Sequence, residues 1–130
     1  MVIDTSALLA ILFDEPENGV FTRAIKDDEV RLMSAMSMLE ASMLVLSRRG
    51  EAGVVRLDRM VSAMAIDIVS FDRDQMLGAR EAFARYGKGR HRAGLNFGDC
   101  AAYALAISEA EPLLFKGTDF GATDVEVAAV

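Results

Sequence analysis

The sequence predicts an α/β domain in which a mostly parallel sheet carries helices on both faces. Short, continuously apolar runs alternate with longer segments whose apolar residues recur at helical spacing. Such runs are typical of strands that a parallel sheet buries on both sides. The resulting order, β-α-α-β-α-α-β-α-α-β-β, and a length of 130 residues predict a single domain over residues 1–130.

Each predicted strand is a short apolar run bounded by polar or turn residues. The runs are residues 1–3, 30–33, 66–69, 112–115 and, as a final edge strand, 125–127. Helical spacing fills the segments between them, and Gly50 is predicted to separate two helices between the second and third strands. Asp72 is predicted to cap the helix that follows the third strand.

Asp4 ends the first strand, at the edge of the sheet where α/β folds bind their ligands. Thr5 or Ser6 can cap the helix that follows, because each carries a side-chain hydroxyl. Ser6 can instead hydrogen-bond Asp4 or a metal-bound water. The sequence leaves both roles open for Ser6.

The helix after the second strand has two possible starting points. Ser37-x-x-Glu40 matches a capping box, in which Glu40 reaches back to the N-terminus of its own helix. A start at Ser34 places Glu40 in the second turn instead. Its apolar neighbours predict that Glu40 then faces inward or toward a cleft.

Two further acids come from the C-terminal third of the chain. Asp99 opens the apolar helix of residues 101–107, where it can simply complement the helix dipole, and Asp119 follows the fourth strand. If the first and fourth strands are neighbours, these two acids converge with Asp4 and Glu40 at one edge of the sheet. Crowded carboxylates need a compensating cation, and their oxygen ligands suit Mg2+, with Mn2+ as a possible substitute.

Carboxylates that hold Mg2+ are typical of phosphodiester hydrolysis, in which the metal activates water. The net charge of −6 argues against a protein that binds nucleic acid by its overall charge. Residues 87–94 form the only basic concentration, with Lys88, Arg90, His91 and Arg92. This segment is either a substrate contact or a solvated, mobile loop.

Cys100 is the only cysteine, so an internal disulfide is excluded and a reducing compartment is favoured. It lies in an apolar helix and is predicted to be a buried core thiol. With one histidine elsewhere in the chain, no tetrahedral zinc site is expected. No apolar run is long enough to span a bilayer, and no signal peptide is evident, so we predict a cytoplasmic protein that does not bind membranes.

Four sequence blocks, taken in order, resemble the PIN-domain ribonuclease toxins called VapC. The blocks are Val2-Ile3-Asp4-Thr5-Ser6-Ala7-Leu8, the inward Glu40, Leu95-Asn96-Phe97-Gly98-Asp99-Cys100 and Leu113-Leu114-Phe115-Lys116-Gly117-Thr118-Asp119-Phe120. The resemblance covers essentially the whole chain, and residues 87–99 are especially similar to a mycobacterial subgroup. It implies a PIN-like three-layer sandwich with strand order 3-2-1-4-5 and a Mg2+-dependent endoribonuclease activity.

The resemblance also assigns the family's acidic quartet and its neighbouring hydroxyl to specific positions. These positions are Asp4, Glu40, Asp99, Asp119 and Ser6. Asp4 and Asp99 are the expected direct metal ligands. Position 118, which often carries Asn, Asp or Glu in the family, is Thr118 here, and Asp124 fits a family pattern but is expected to be structural.

The partners that the resemblance implies are an RNA substrate, a VapB antitoxin whose C-terminal segment covers the active site, and a second copy of the chain in a homodimer. A methionine-rich segment could supply an adaptable groove for the antitoxin, although such side chains more often belong to the core. Its methionines are Met33, Met36, Met38 and Met43.

Two other classes share some of these features. A phosphoacceptor receiver-like domain also combines a parallel sheet, acids and Mg2+, but it requires adjacent acids after the first strand, where only Asp4 stands here. A catalytically silent PIN-like scaffold would bind RNA or protein without cutting. The intact quartet argues against that alternative.

Overall fold

The central sheet contains four parallel strands. A computed structural model of the chain describes residues 1–130. The strands are β1 (Val2–Ile3), β2 (Leu32–Ser34), β3 (Asp67–Val69) and β4 (Leu113–Leu114), and they lie in the order β3-β2-β1-β4. Val2 pairs with Leu113, so the first and fourth strands are neighbours, which is the condition for the predicted acids to meet.

The predicted fifth strand at residues 125–127 is not formed, and this part of the predicted order 3-2-1-4-5 is wrong. Val127 makes only an isolated parallel bridge to Leu113. Leu113 N donates to Glu126 O at 2.8 Å, and its carbonyl accepts from Ala128 N at 3.0 Å. Leu114 directs its carbonyl to the other side, toward Asp4 N. Because β4 has only two residues, a single residue faces the outer edge and no ladder can develop.

Five helices cover the sheet, and the third of them is kinked into two segments, so the predicted alternation of helices and strands is kept. They are α1 (Thr5–Leu12), α2 (Asn18–Asp27), α3 (Ala35–Ala63), α4 (Arg73–Tyr86) and α5 (Phe97–Glu109), with a 3-10 turn at Asp119–Ala122. Gly50 is non-helical, with φ +66° and ψ −165°, and it separates two helical segments of α3, as the sequence predicts. No helix combines the length and apolar surface that crossing a bilayer requires.

Alternate residues of the central strands contact different layers of helices, as expected for a buried parallel sheet. Ile3 and Leu114 belong to a core that includes side chains from α1, α2 and α3. Val2 and Leu113 belong to a second core, shared with α4 and α5. The two cores on opposite faces of one sheet make the predicted three-layer sandwich.

Candidate active site

Asp4 directly follows β1 and is itself the N-cap of α1, so the prediction of Thr5 or Ser6 as the cap is wrong. Its Oδ2 accepts hydrogen bonds from Ser6 N at 2.9 Å and from Ser6 Oγ at 2.5 Å. Ser6 Oγ accepts in turn from Lys116 N, just beyond β4, at 3.0 Å. Ser6 therefore ties the Asp4 carboxylate to the end of the neighbouring strand. Asp4 is only 4% exposed.

Asp99 lies in the first turn of α5 and forms a capping box with Asn96. Asp99 N donates to Asn96 Oδ1 and Asn96 N donates to Asp99 Oδ2, both at 2.9 Å. Asp99 therefore does stabilise the start of its own helix. Only Oδ2 of the carboxylate takes part in this capping. Oδ1 makes no hydrogen bond within the protein and is available to a ligand.

Glu40 occupies the second turn of α3, because the helix is capped by Ser34. Met36 N donates to Ser34 Oγ at 3.2 Å. The alternative capping box at Ser37 is therefore wrong, and Ser37 Oγ is buried without a hydrogen-bond partner. The half-buried carboxylate of Glu40 packs instead against Gly98, the residue before Asp99.

Asp119 is exposed at the start of the 3-10 turn that follows β4. Its negative charge is one of those that raise the pKa of Asp99. The neighbouring Thr118 is also exposed, and its side chain makes no capping hydrogen bond to the turn. The Thr118 side chain therefore does not help to order the turn that carries Asp119, although the backbone carbonyl of Thr118 accepts a hydrogen bond from Gly121 N at 3.1 Å.

The acidic neighbours and burial change the protonation of Asp99 and Asp4. The pKa of Asp99 is raised to about 6, mainly by burial and also by the charges of Asp4, Asp119 and Glu40, against the lowering effect of the Asn96 hydrogen bond. Burial also raises the pKa of Asp4, although the hydrogen bonds from Ser6 oppose the change. The quartet is thus one electrostatic unit with unfavourable negative charge.

No basic side chain compensates that charge. None of the four acids takes part in any of the ion pairs of the structure. Lys116 is anchored near the site through its backbone, but its ammonium group pairs with Glu15 at 2.5 Å and with Glu17 at 3.1 Å. An external cation would stabilise the ionised quartet.

The donor set fits a hard divalent cation, because all four groups are carboxylates. In the present rotamers, however, no three acidic, histidine or cysteine side chains are arranged to hold one ion. Side-chain rotation would have to complete a ligand set. Cys100 is buried as predicted, and burial, together with the charge of Asp99, raises its thiol pKa to about 11, so it is no thiolate ligand.

The basic segment of residues 87–94 is a hydrogen-bonded turn between α4 and α5. Lys88 N donates to Leu95 O at 3.0 Å, and Gly87 forms a parallel bridge with Leu95. The side chains of Lys88, Arg90 and Arg92 are exposed and form no ion pair. Arg90 also lies over the ring of Phe83, with Cζ 6.0 Å from the ring centroid. All three side chains can contact an anionic ligand.

Asp124 lies in a separate network. Tyr103 Oη donates to Asp124 Oδ1 at 2.5 Å, and Arg85 Nη2 lies 3.3 Å from Oδ2. The hydrogen bond from Tyr103 is the main cause that lowers the pKa of Asp124. These contacts link α4, α5 and the C-terminal segment, which agrees with the expected structural role.

Two residues of the site are not predicted from the sequence. Asn96 stands out there only as a turn residue, although the spacing Asn96-x-x-Asp99 is that of a capping box and could have identified its role. Gly98 likewise stands out only as a turn residue, and its contact with Glu40 joins two helices. No local pattern could have revealed that contact.

Comparison with known proteins defines the class. The PIN domain family model matches residues 1–126. Ribonuclease VapC30 of Mycobacterium tuberculosis is 50% identical over 130 residues, which cover 100% of this chain and 99% of that protein. Ribonuclease VapC of Mycolicibacterium smegmatis is 54% identical over 125 residues, which cover 96% of this chain and 97% of that protein.

Solved structures share the fold at much lower sequence identity. The sarcin-ricin loop cleaving toxin VapC20 of M. tuberculosis has a TM-score of 0.78 at 18% identity, covering 95% of each chain. VapBC2 from Rickettsia felis, bound to a promoter DNA fragment, has a TM-score of 0.75 at 15% identity, covering 97% of this chain and 94% of that one.

The fold is therefore that of a PIN domain. Within that class, the chain belongs to the VapC ribonuclease family of toxins. Membership in this family excludes the receiver-like alternative and confirms the resemblance seen in the sequence.

Proposed function

We propose that this protein is a Mg2+-dependent endoribonuclease and the toxin of a VapBC toxin–antitoxin pair, acting in the cytoplasm as one domain over residues 1–130. The observation that carries the proposal is the uncompensated quartet: four mutually repelling carboxylates at one sheet edge, with no Lys or Arg paired to them. The names of the curated relatives support the ribonuclease activity.

In the proposed mechanism, Asp4, Asp99, Asp119 and Glu40 are the residues that would hold the cation. Bound Mg2+ supplies an activated water and neutralises charge that develops on the phosphate. Glu40 orients the attacking water and accepts its proton. The new P–O bond forms in line with the ribose oxygen that leaves, and that oxygen takes up a proton.

The experiment that tests this function is cleavage of a mixed pool of structured RNAs by the purified chain. Cleavage should occur with Mg2+, stop with a chelator, and be lost in Asp99→Asn. Equal cleavage by Asp99→Asn would reveal a contaminating nuclease and contradict the assignment. Folded, Mg2+-binding protein that cuts no RNA in the pool would favour the silent-scaffold alternative.

The basic turn is the proposed contact for the RNA backbone. Lys88, Arg90 and Arg92 are exposed and form no ion pair, and they lie on the segment that leads directly to the helix of Asp99. Phosphate contacts of this kind position nucleic acid without reading its sequence. The turn can thus hold RNA even though the whole chain is acidic.

Replacing Lys88, Arg90 and Arg92 together by Ala should weaken RNA binding and flatten its dependence on salt concentration. Removing one cation that neutralises a phosphate should reduce the slope of log K against log salt by about 0.7 for single-stranded RNA. Binding to catalytically inactive protein over a salt series measures this slope.

A matched control removes three exposed basic residues elsewhere, in the triple variant of Lys26, Arg56 and Arg59 to Ala. The change in net charge is identical, so the control should keep the wild-type slope. An equal slope in both triple variants would exclude the basic turn as a specific contact.

The proposed protein partners, a VapB antitoxin and a second copy of the chain, need apolar surface. The methionine prediction is only partly supported, because Met33 is fully buried whereas Met43 is 61% exposed. Exposed or half-buried apolar side chains continue along α3 and onto the start of α5. We call this set the apolar face, and it comprises Met36, Leu39, Met43, Leu46 and Phe97.

Methyl NMR signals of Met36 and Met43 should report on partners at the apolar face. Signals that change on dilution indicate self-association, and signals that change only on adding the antitoxin indicate the antitoxin. The buried methyl group of Met33 serves as the internal control. Signals of Met36 and Met43 that respond to neither treatment would remove this face from both interactions.

A further inference from the structure

Gly98 occupies the second position of α5, between Phe97 and Asp99, and it is buried. Its φ angle is not positive, so the backbone does not require glycine there. Glycine is required because there is no room for a larger side chain. A Cβ atom at this position would lie 2.8 Å from both Cδ and Oε1 of Glu40, closer than real Cβ contacts allow.

This contact differs from those of the other glycines. Gly50, Gly89, Gly94 and Gly117 have positive φ angles. A Cβ at Gly53 or Gly87 would meet a residue four positions earlier in the same segment, and one at Gly78 would make ordinary contact with Ala104. Only at Gly98 does a carboxylate from another helix occupy the space that a side chain would fill.

We propose that Gly98 is a positioning residue for the reaction: its missing side chain lets the Glu40 carboxylate pack on the first turn of α5, beside Asp99. This inference rests on the proposed function and deepens it. Glu40 reaches the site from α3, whereas Asp99 reaches it from α5. The close approach at Gly98 is thus what fixes the distance between these two carboxylates.

The effect of adding a methyl group at position 98 follows from the atoms that it would contact. The obstructing atoms are the end of a flexible side chain, not backbone. Glu40 can therefore swing away while the fold is kept, and alanine is also the better helix former. Gly98→Ala should consequently displace one carboxylate of the site without unfolding the protein.

Two measurements on Gly98→Ala test the role. Mn2+ affinity of the RNA-free protein, measured by calorimetry, should fall about tenfold, as when a supporting residue of a metal site is lost. The kcat for RNA cleavage should fall about 10- to 100-fold with KM nearly unchanged. The melting temperature in chelator should stay at or above that of the wild type.

Matched controls are Gly19→Ala in α2 and Gly121→Ala in the 3-10 turn. A Cβ at either position meets no atom within 4 Å, and neither φ angle is positive. Both variants should bind Mn2+ and cleave RNA like the wild type. Their behaviour separates the effect of the Glu40 contact from that of losing a glycine.

Shortening Glu40 supplies a second, independent variant. Aspartate lacks one methylene and no longer reaches the space beside Gly98, so Gly98→Ala should have little further effect on cleavage or Mn2+ binding in a Glu40→Asp background. Such non-additivity is the signature of direct coupling. Effects of Gly98→Ala that are equal in both backgrounds would overturn the proposal.

The outcomes distinguish the two levels of the inference. Wild-type protein that neither binds Mn2+ nor cuts RNA refutes the proposed function, and the role of Gly98 with it. If the wild type binds Mn2+ and cuts RNA, and Gly98→Ala does so equally well, only the role of Gly98 is refuted. Unfolding of Gly98→Ala that Glu40→Asp does not reverse would also overturn it, since the glycine would then serve the fold.

Discussion

Replacing Asp4 by Asn is expected to lower Mg2+-dependent RNA cleavage by at least about a hundredfold while the protein stays folded. Asn is as good an N-cap as Asp, so α1 keeps its start. The substitution preserves the shape of a nearly fully buried side chain but removes the negative charge that attracts the cation. Single-turnover cleavage at saturating Mg2+, together with the melting temperature, measures both parts of this expectation.

Asp72→Asn is the matched control for that experiment. Asp72 also follows a strand and caps a helix, since its Oδ1 accepts from Gln75 N at 2.9 Å. It lies outside the quartet and is exposed. The control should cleave at the wild-type rate. Wild-type cleavage by Asp4→Asn, or equal loss in both variants, would contradict the role of Asp4.

Asp99→Asn is expected to make the metal-free protein more stable at pH 8 than the wild type. The pKa of Asp99 is about 6 in the folded protein against an ordinary 3.8, so the folded state binds its proton more tightly. The stability that this proton contributes is fully present below about pH 4 and is lost as the pH rises through 6. The amide carries no charge to desolvate and still accepts the hydrogen bond from Asn96.

The gain in free energy of unfolding should be about 1 kcal/mol at pH 8 in chelator, after allowance for the partial exposure of Asp99. It should shrink toward pH 4, where the wild-type carboxyl is protonated. Denaturant unfolding at the two pH values measures it. An Asp99→Asn variant less stable than the wild type at pH 8, with no dependence on pH, would contradict this expectation.

Mg2+ should reverse the order of stability. An ion that binds only the folded state contributes about 2.7 kcal/mol when its concentration is a hundred times its Kd. The wild type should gain this at pH 8, whereas Asp99→Asn should gain much less because it lacks one carboxylate of the site. The two proteins should therefore exchange places on addition of the ion, a change that a purely structural acid would not produce.

The convergence of the acids could be predicted because it depends on sheet topology. Asp4 and Asp119 follow the strands β1 and β4, and parallel neighbours bring their C-terminal ends to one edge. Asp99 could be placed from the turn residues that precede its helix. The position of Glu40 in its helix depended on which residue caps that helix, and the sequence alone did not decide between Ser34 and Ser37.

The features that the sequence did not predict depend on contacts between distant segments. The strand expected at residues 125–127 has adequate composition, but its partner β4 offers one outward-facing residue. The ammonium group of Lys116 turns to Glu15 and Glu17 rather than to the quartet, and no local pattern encodes that direction. Likewise, Gly98 resembles any turn glycine until α3 is packed beside α5.

The most direct test of the central claim is the anomalous scattering of Mn2+ in crystals of the metal-loaded protein. A peak coordinated by the carboxylates of Asp4 and Asp99, and absent from crystals of Asp99→Asn, is the predicted result. It would place the compensating cation at the uncompensated quartet. A Mn2+ peak elsewhere, or none at the quartet at concentrations that support cleavage, would contradict a metal-dependent site at this edge of the sheet.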